Sequence, residues 1–369
     1  MIGRNIKRYR KILGITQEEI SKEAGISRQT LSKIENNKTE PNSNTLMEIA
    51  KVLDIKLEEL FRERESLEKF RINLTEDYAE KNEEEISSVL KECSFWLSNY
   101  QMLEEQLNQS NNWSLADLDL DEPENLANTI REQYVDFTTP IYNPITIMNE
   151  LEIRVFLFES KLTKLESFSG YDKFYQKPYI ALNNNPKINH ETKVFSLFKE
   201  LSHLVSHGDS YNGQIEKKQK SENKQSNTFA SYFLISRNDF RKKLEKVSGL
   251  HWVKQVLYLK RYFRVSYLKI LRRLPDEGVI GKNLLGDFIS DYNQIYEDKM
   301  EIIQGLPEEP FPIHDLNFEN IKLHRLVKKA LKSNLISPNK AAEILSITAQ
   351  EMKNIIRSWE EVKEIFIEK

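Results

Sequence analysis

Two sets of side chains in this chain are of types and spacings that could do chemistry. The first lies in Lys199-Glu200-Leu201-Ser202-His203, followed by His207, within an apolar-periodic run that opens near Glu191. On a helix, Glu200, His203 and His207 stand at i, i+3 and i+7 and share one face. A carboxylate and two imidazoles so placed could bind zinc, with Glu222 as a further carboxylate. Lys199 beside them is a cation without a lone pair at neutral pH and repels a metal. The second set is Arg28-Gln29, at the start of a short expected helix that continues through Thr30, Ser32 and Lys33. Arginine pairs bidentately with guanine and glutamine with adenine. Gln17, Asn37 and Lys38 fall at helix starts and loops, suited to phosphate contacts that set register.

The elements around the second set are strongly signalled. Ile6, Tyr9, Ile12 and Leu13 repeat at helical spacing up to Gly14. Thr16 with Glu19 forms a capping box for the next helix, and Gly25 supplies a tight turn. Ser27 caps the helix carrying Arg28, and Ser43 or Asn44 is expected to open a fourth. Residues 1–61 thus read as five short helices. Gln17, Gly25 and the run Ser27-Arg28-Gln29-Thr30-Leu31-Ser32-Lys33-Ile34-Glu35-Asn36 resemble the phage-repressor (Cro/CI, or XRE) helix-turn-helix family over about 60 residues. That resemblance implies that the third helix enters the major groove of double-stranded DNA and that homodimers read pseudo-palindromic operators.

The helix that carries the first set also has a likeness. Lys199-Glu200-x-x-His203 resembles the His-Glu-x-x-His zinc motif in the form used by the ImmA/IrrE metallopeptidase family. Pro178-Tyr179-Ile180-Ala181-Leu182-Asn183 is similar to its preceding strand, and Phe195-Ser196-Leu197 to its lead-in. Asn227-x-Phe229-Ala230 with Phe233-Leu234 is similar to a downstream helix. Leu259 to Ser266, through Arg273-Leu274, is similar to a later helix-turn-helix-like element. The family's first histidine is here Lys199, and its third ligand falls, by the register of Ser226-Asn227, on Asn223. His203 alone remains of the three ligands, and Glu200 keeps the position of the general base. The resemblance implies a degenerate peptidase-like cleft of Lys199, Glu200, His203 and Asn223, with no catalysis, no metal and no cofactor. The alternative is a zinc metallopeptidase with a shifted site of His203, His207 and Glu222, in which Glu200 would be catalytic or a ligand.

Composition sets bounds on all of this. The 54 Lys+Arg and 57 Asp+Glu give a net charge of −3, which hides segregation. Residues 1–61 carry 11 basic and 9 acidic side chains, residues 62–125 carry 6 and 17, and the rest is net basic. The single cysteine, Cys93, excludes an internal disulfide and a cysteine-based zinc cluster. No apolar run is long enough for a membrane span, and the chain is expected in the cytoplasm without a membrane partner.

The expected fold is mainly α with a small β-sheet. Its parts are a five-helix head (1–61), an acidic helical spacer (62–125), and an α+β zincin-like domain (126–236). A helical, helix-turn-helix-like region (237–306) and a small helical C-terminal region (307–369) follow. Residues 62–108 lack proline and glycine and predict helix, with Trp96 and Tyr100 on an apolar stripe. Strands are expected at 152–158 and, as a hairpin or small sheet, at 168–171 and 178–183, with a polar loop at 208–224. Basic residues from Lys254 to Arg273 are open to two readings, a second nucleic-acid contact or a solvated face. The whole predicts a DNA-binding transcriptional regulator, a repressor or antitoxin-like autoregulator whose peptidase-like domain acts as a sensor or partner module. A toxin-neutralising or phage-related interaction protein is a further reading.

Overall fold

Helices α1 (Ile2–Leu13), α2 (Gln17–Glu23), α3 (Arg28–Glu35), α4 (Ser43–Val52) and α5 (Glu58–Phe61) follow the apolar spacing of the first 61 residues. In this computed structural model the described residues are 2–61, 67, 69–109, 113, 115, 122–134, 140–172, 177–206, 215–216, 220–278, 283–297, 299–300, 302–303 and 306–367. The chain continues through β1 (Lys69–Asn73), α6 (Glu76–Lys81), α7 (Glu83–Gln106), α8 (Pro123–Gln133), α9 (Pro144–Glu150), β2 (Arg154–Phe158), β3 (Ser167–Tyr171) and β4 (Pro178–Asn183). Then come α10 (His190–Ser206), β5 (Ile215–Glu216), α11 (Lys220–Leu234), α12 (Arg237–Lys246), α13 (Trp252–Phe263) and α14 (Tyr267–Arg273). A 3-10 turn (Leu274–Glu277), α15 (Leu284–Ile295), β6 (Ile302–Ile303), β7 (Leu306–Pro307), α16 (Ile321–Lys332), α17 (Pro338–Leu345) and α18 (Ala349–Ile367) complete it.

These elements form two units. Met1–Ser66, Ser94–Ser110 and Ile321–Lys369 make the first; Leu67–Cys93 and Asn111–Asn320 make the second. No described helix is long and apolar enough to cross a membrane.

In the first unit, both halves of the Thr16–Glu19 capping box are present, and Ser27 accepts from the Thr30 amide at 3.0 Å. The cap of α4 is Asn42, not Ser43 or Asn44. Its backbone is extended (φ −75°, ψ 167°), as a cap requires, and its side chain accepts from the Thr45 amide at 2.8 Å. Gly25 takes φ +67°, the left-handed conformation that makes the turn between α2 and α3. Ile6, Tyr9, Ile20, Leu31, Ile34 and Ile49 are buried together. Gly3 lets α1 approach the end of α3, since a Cβ there would lie 1.9 Å from the Ile34 carbonyl oxygen.

The C-terminal helices belong to this unit. Helix α17 packs on α1, and Ser337, its N-cap, donates to the Asp54 carbonyl at 2.8 Å. Asn339 donates to the Leu53 carbonyl at 2.8 Å, satisfying an acceptor at the end of α4. Behind these bonds Glu343 accepts from the Tyr9 hydroxyl at 2.6 Å and pairs with Arg8 at 2.5 Å and Lys340 at 2.9 Å. Lys340 also pairs with Glu59. Burial, with the charges of Glu343 and Glu59, keeps the Tyr9 phenol protonated. Trp96 and Tyr100 are buried with ring centroids 5.1 Å apart, so their stripe is packing.

The second unit is built on a sheet of order β2-β4-β3-β1-β5. Strands β3 and β4 pair antiparallel, giving a hairpin where the sequence reads as a hairpin or small sheet, and β2 runs parallel to β4. Strand β1 corrects the reading of 62–108 as helix. Phe70, Arg71 and Ile72 are all buried, and the segment pairs antiparallel with β3, a long-range partner that local spacing does not encode. Asn183 ends β4, and its amide reaches the carbonyls of Ser160, Leu162 and Leu165. Helix α10 packs on β3 and β4, and α11 on α10, with Phe198 stacked on Phe233 at 4.6 Å. Full burial of an aromatic side chain of this size stabilises by about 1.5–3 kcal/mol. Helix α11 opens at Lys220, so the end of the segment expected as a loop over 208–224 is helical.

Candidate functional site

The first candidate site is the outer face of α3. Arg28, Gln29 and Lys33 are exposed, and neither cation forms an ion pair with the described residues. Thr30 and Ser32 are half-buried; the Thr30 hydroxyl lies 2.8 Å from Ser27 Oγ and belongs to the cap. Arg28 and Gln29 thus sit in the first turn, where side chains of a recognition helix reach base edges. Asn37 and Lys38 follow α3 on the exposed loop, Asn37 with φ +53°. Gln17 is tied inward: its amide donates to Glu35 Oε2 at 2.7 Å while staying half-exposed.

Glu35 was not singled out by sequence reasoning. It is buried and accepts from Arg10 Nε at 2.6 Å and Nη2 at 3.1 Å as well as from Gln17. It therefore joins α1, α2 and α3 and fixes the angle at which α3 presents its face. A charged residue at a helix end ordinarily reads as solvated, and only its spacing to Arg10 and Gln17 in the folded head reveals the role.

The second candidate site is the α10–α11 cleft. Glu200 is buried and accepts from the Ser167 hydroxyl at 2.9 Å and the Ser169 hydroxyl at 2.6 Å, both from β3. Burial raises its carboxyl above the ordinary carboxylate range, against the opposing pull of Lys199, the two hydroxyls and Arg71. His203 is buried with Nδ1 3.2 Å from Ser226 Oγ, and Ser226 also donates to the Glu222 carbonyl at 3.0 Å. Asn223 is buried one turn earlier on α11. Lys199 is half-buried and makes no ion pair with the described residues. The structure thus brings Lys199, Glu200, His203 and Asn223 to one packed helix pair.

Of the shifted site, His203 and Glu222 are among the described residues. The Glu222 carboxylate is turned to Arg71 of β1, with which it forms an ion pair. His207 lies outside the described residues. A catalytic zinc ion takes three protein ligands and keeps an open position. At the motif positions the donors are one imidazole, a cation, an amide and a carboxyl bonded by two hydroxyls, with the Arg71 guanidinium near. Among the described residues this set does not fit zinc, and no group of three His, Cys, Asp or Glu is placed to hold a metal.

The basic residues from Lys254 to Arg273 are partly drawn inward. Lys260 is buried between Glu191 at 2.6 Å and Glu309 at 2.9 Å. Arg264 pairs with Asp315 and lies 3.9 Å over the Tyr142 ring, and Arg273 pairs with Asp276 at 2.6 Å. Lys254, Arg261 and Arg272 are exposed.

Comparison with known proteins agrees with this division. A family model described as helix-turn-helix matches residues 6–60, and one described as an IrrE N-terminal-like domain matches residues 148–275. The head is 39% identical over 56 residues to an uncharacterized HTH-type transcriptional regulator of Methanocaldococcus jannaschii, covering 15% of this chain and 85% of that protein. The chain is 38% identical over 69 residues to the HTH-type transcriptional regulator SinR of Bacillus licheniformis, covering 18% of this chain and 62% of SinR. An uncharacterized HTH-type transcriptional regulator of Sinorhizobium fredii is 38% identical over 60 residues, 16% of this chain and 78% of the relative. From the intact head and these matches, the chain belongs to the helix-turn-helix family of HTH-type transcriptional regulators and carries an IrrE N-terminal-like domain in its second unit.

Proposed function

We propose that this protein is a sequence-specific DNA-binding transcriptional regulator whose peptidase-like domain performs no proteolysis and serves as a sensor or partner-binding module. The observation that carries the reading is the contrast in availability. Arg28 and Gln29 stand exposed on the first turn of a capped recognition helix. Glu200, the residue that would act as general base, is buried under two serine hydroxyls beside a cation at the first ligand position. A base that activates water must reach it, and this one is buried with both carboxylate oxygens taken by serine hydroxyls. Names of the relatives support the regulatory assignment. Heads of this type read two half-sites through a two-fold dimer, and the proposal includes a homodimer on a pseudo-palindromic operator.

The test is binding of the full chain to a labelled fragment from upstream of its own gene, followed by fluorescence anisotropy across a salt series. Affinity should fall steeply with salt, because phosphate contacts release counterions. The double variant Arg28→Ala/Gln29→Ala should lose about 1–3 kcal/mol per bidentate contact removed. Unchanged affinity in that variant would refute the assignment.

A further inference from the structure

Helices α10, α11 and α14, with the turn after α14, line an open pocket of about 530 Å³ in the second unit. That volume is in the range of small-molecule sites. Its charge is one-sided: Lys224, Lys269, Arg272 and Arg273 line it, and Asp276 is the one acid among the lining residues. Asp276 is already committed, accepting from Arg273 Nη1 at 2.6 Å.

Arg273 is the decisive group. It is 2% exposed, its guanidinium lies 3.8 Å over the Tyr232 ring, and its Nε and Nη2 have no hydrogen-bond partner among the described residues. A nearly buried guanidinium with unmet donors just behind a cavity wall holds fixed positive charge there, the charge that an oxyanion needs. Lys269 is held similarly. Its ammonium sits 3.2 Å over the Phe195 ring and forms no ion pair with the described residues. Burial first, then the charges of Arg272 and Lys199, hold its pKa down to about 7, with Glu166 pulling the other way.

The cavity also adjoins the dismantled cleft. Asn223 lines it, at the position where the metallopeptidase pattern has a glutamate. Lys199, at the position of the first histidine, is close enough to Lys269 for their charges to repel. Both replacements remove negative charge or add positive charge. What they take from a cation site they give to an anion site.

We propose that this cavity binds a small phosphorylated molecule, its phosphate held by Arg273, Lys269 and Arg272 and its organic part lying against Phe195 and Tyr232. The cavity is far larger than one phosphate group, and two aromatic walls suit a flat or apolar remainder. Asn227 and Ser231, one turn apart on α11, add polar groups to the lining. The regulatory meaning of the site rests on the sensor reading above; the binding itself does not.

The experiment is isothermal titration of the full chain with inorganic sulfate, inorganic phosphate and AMP, against sodium chloride at equal ionic strength. Saturable binding is expected for all three, tightest for AMP. Lys269→Met is the key variant, since it replaces a desolvated cation with an apolar side chain and should leave the fold intact. It should weaken each anion by about tenfold, the scale of one lost charge-assisted contact, and Arg272→Gln by less. AMP no tighter than phosphate would overturn the phosphorylated-organic identity and leave a free oxyanion as the ligand. No saturable binding, or binding unchanged in Lys269→Met, would overturn the site itself. So would a Lys269→Met variant that loses DNA affinity while keeping sulfate affinity, because the cations would then be a nucleic-acid surface. The Arg28→Ala/Gln29→Ala chain should bind AMP like the native chain, so failure of operator binding and failure of this site are separable.

Discussion

Helices α3 and α10 make a useful pair. Each carries a run of polar residues whose types announce a function, and each has a buried glutamate within that run. On α3 the buried Glu35 takes a bidentate arginine and a glutamine from two other helices, leaving Arg28, Gln29 and Lys33 exposed. On α10 the buried Glu200 is itself the announced functional group, enclosed by hydroxyls from β3. A glutamate fixed by opposite charge is structural scaffolding for its neighbours. A glutamate fixed by neutral hydroxyls, in a cleft with Lys199 and Arg71, is held by the sheet beneath it and ties no other helix in place.

The largest effect expected from this contrast is on Glu35. Glu35→Ala leaves the Arg10 guanidinium without its buried partner and should lower the stability of the head by about 3 kcal/mol. Thermal unfolding of the full chain, monitored with operator binding, measures it; a loss below about 1 kcal/mol would mean that Glu35 does not join the helices. Next is Gly3→Ala. A methyl group there meets the Ile34 carbonyl, so α1 and α3 must separate, at about 1–3 kcal/mol. Denaturant unfolding reads the loss, and a neutral result would show that the two helices are not in close approach.

The smallest effect is on Glu200, and its sign depends on pH. A carboxyl raised by burial binds more protons folded than unfolded, so its contribution to stability falls as pH rises through the ordinary carboxylate range toward its folded value. Glu200→Gln is free of that loss. It should be as stable as the native chain within about 1 kcal/mol, with its advantage larger at about pH 7 than at about pH 4. Urea denaturation at both pH values tests this, and a strongly destabilised glutamine variant would argue that the ionised carboxylate is required.

What could be read from the sequence follows the range of the interactions. The head is written locally: capping box, turn glycine, Ser27 cap and apolar spacing all lie within a few residues of what they specify. The helices of the peptidase-like domain were legible by spacing, and they carry Lys199 and His203 on α10 and Asn223 on α11. Strand β1 was not legible, because Lys69-Phe70-Arg71-Ile72-Asn73 becomes a strand by pairing with β3 about a hundred residues on. Arg71 inside that strand is also what engages Glu222, so the same missed strand hid the partner of that carboxylate. The place of the tail was equally hidden, since Asn339 meets Leu53 across 286 positions.

That last separation has a consequence in time. Glu59 and its partner Lys340 are 281 residues apart, so at about 5–20 residues per second a ribosome needs about 14–56 s between making one and the other. During that interval the nascent head has its recognition helix but not the α17 contacts at Leu53, Asp54, Tyr9 and Glu59. Its lower surface waits for the last helices to be made. A chain that stops early therefore yields a head whose reading face is present and whose foundation is missing, and synthesis to the C-terminal helices is what completes it.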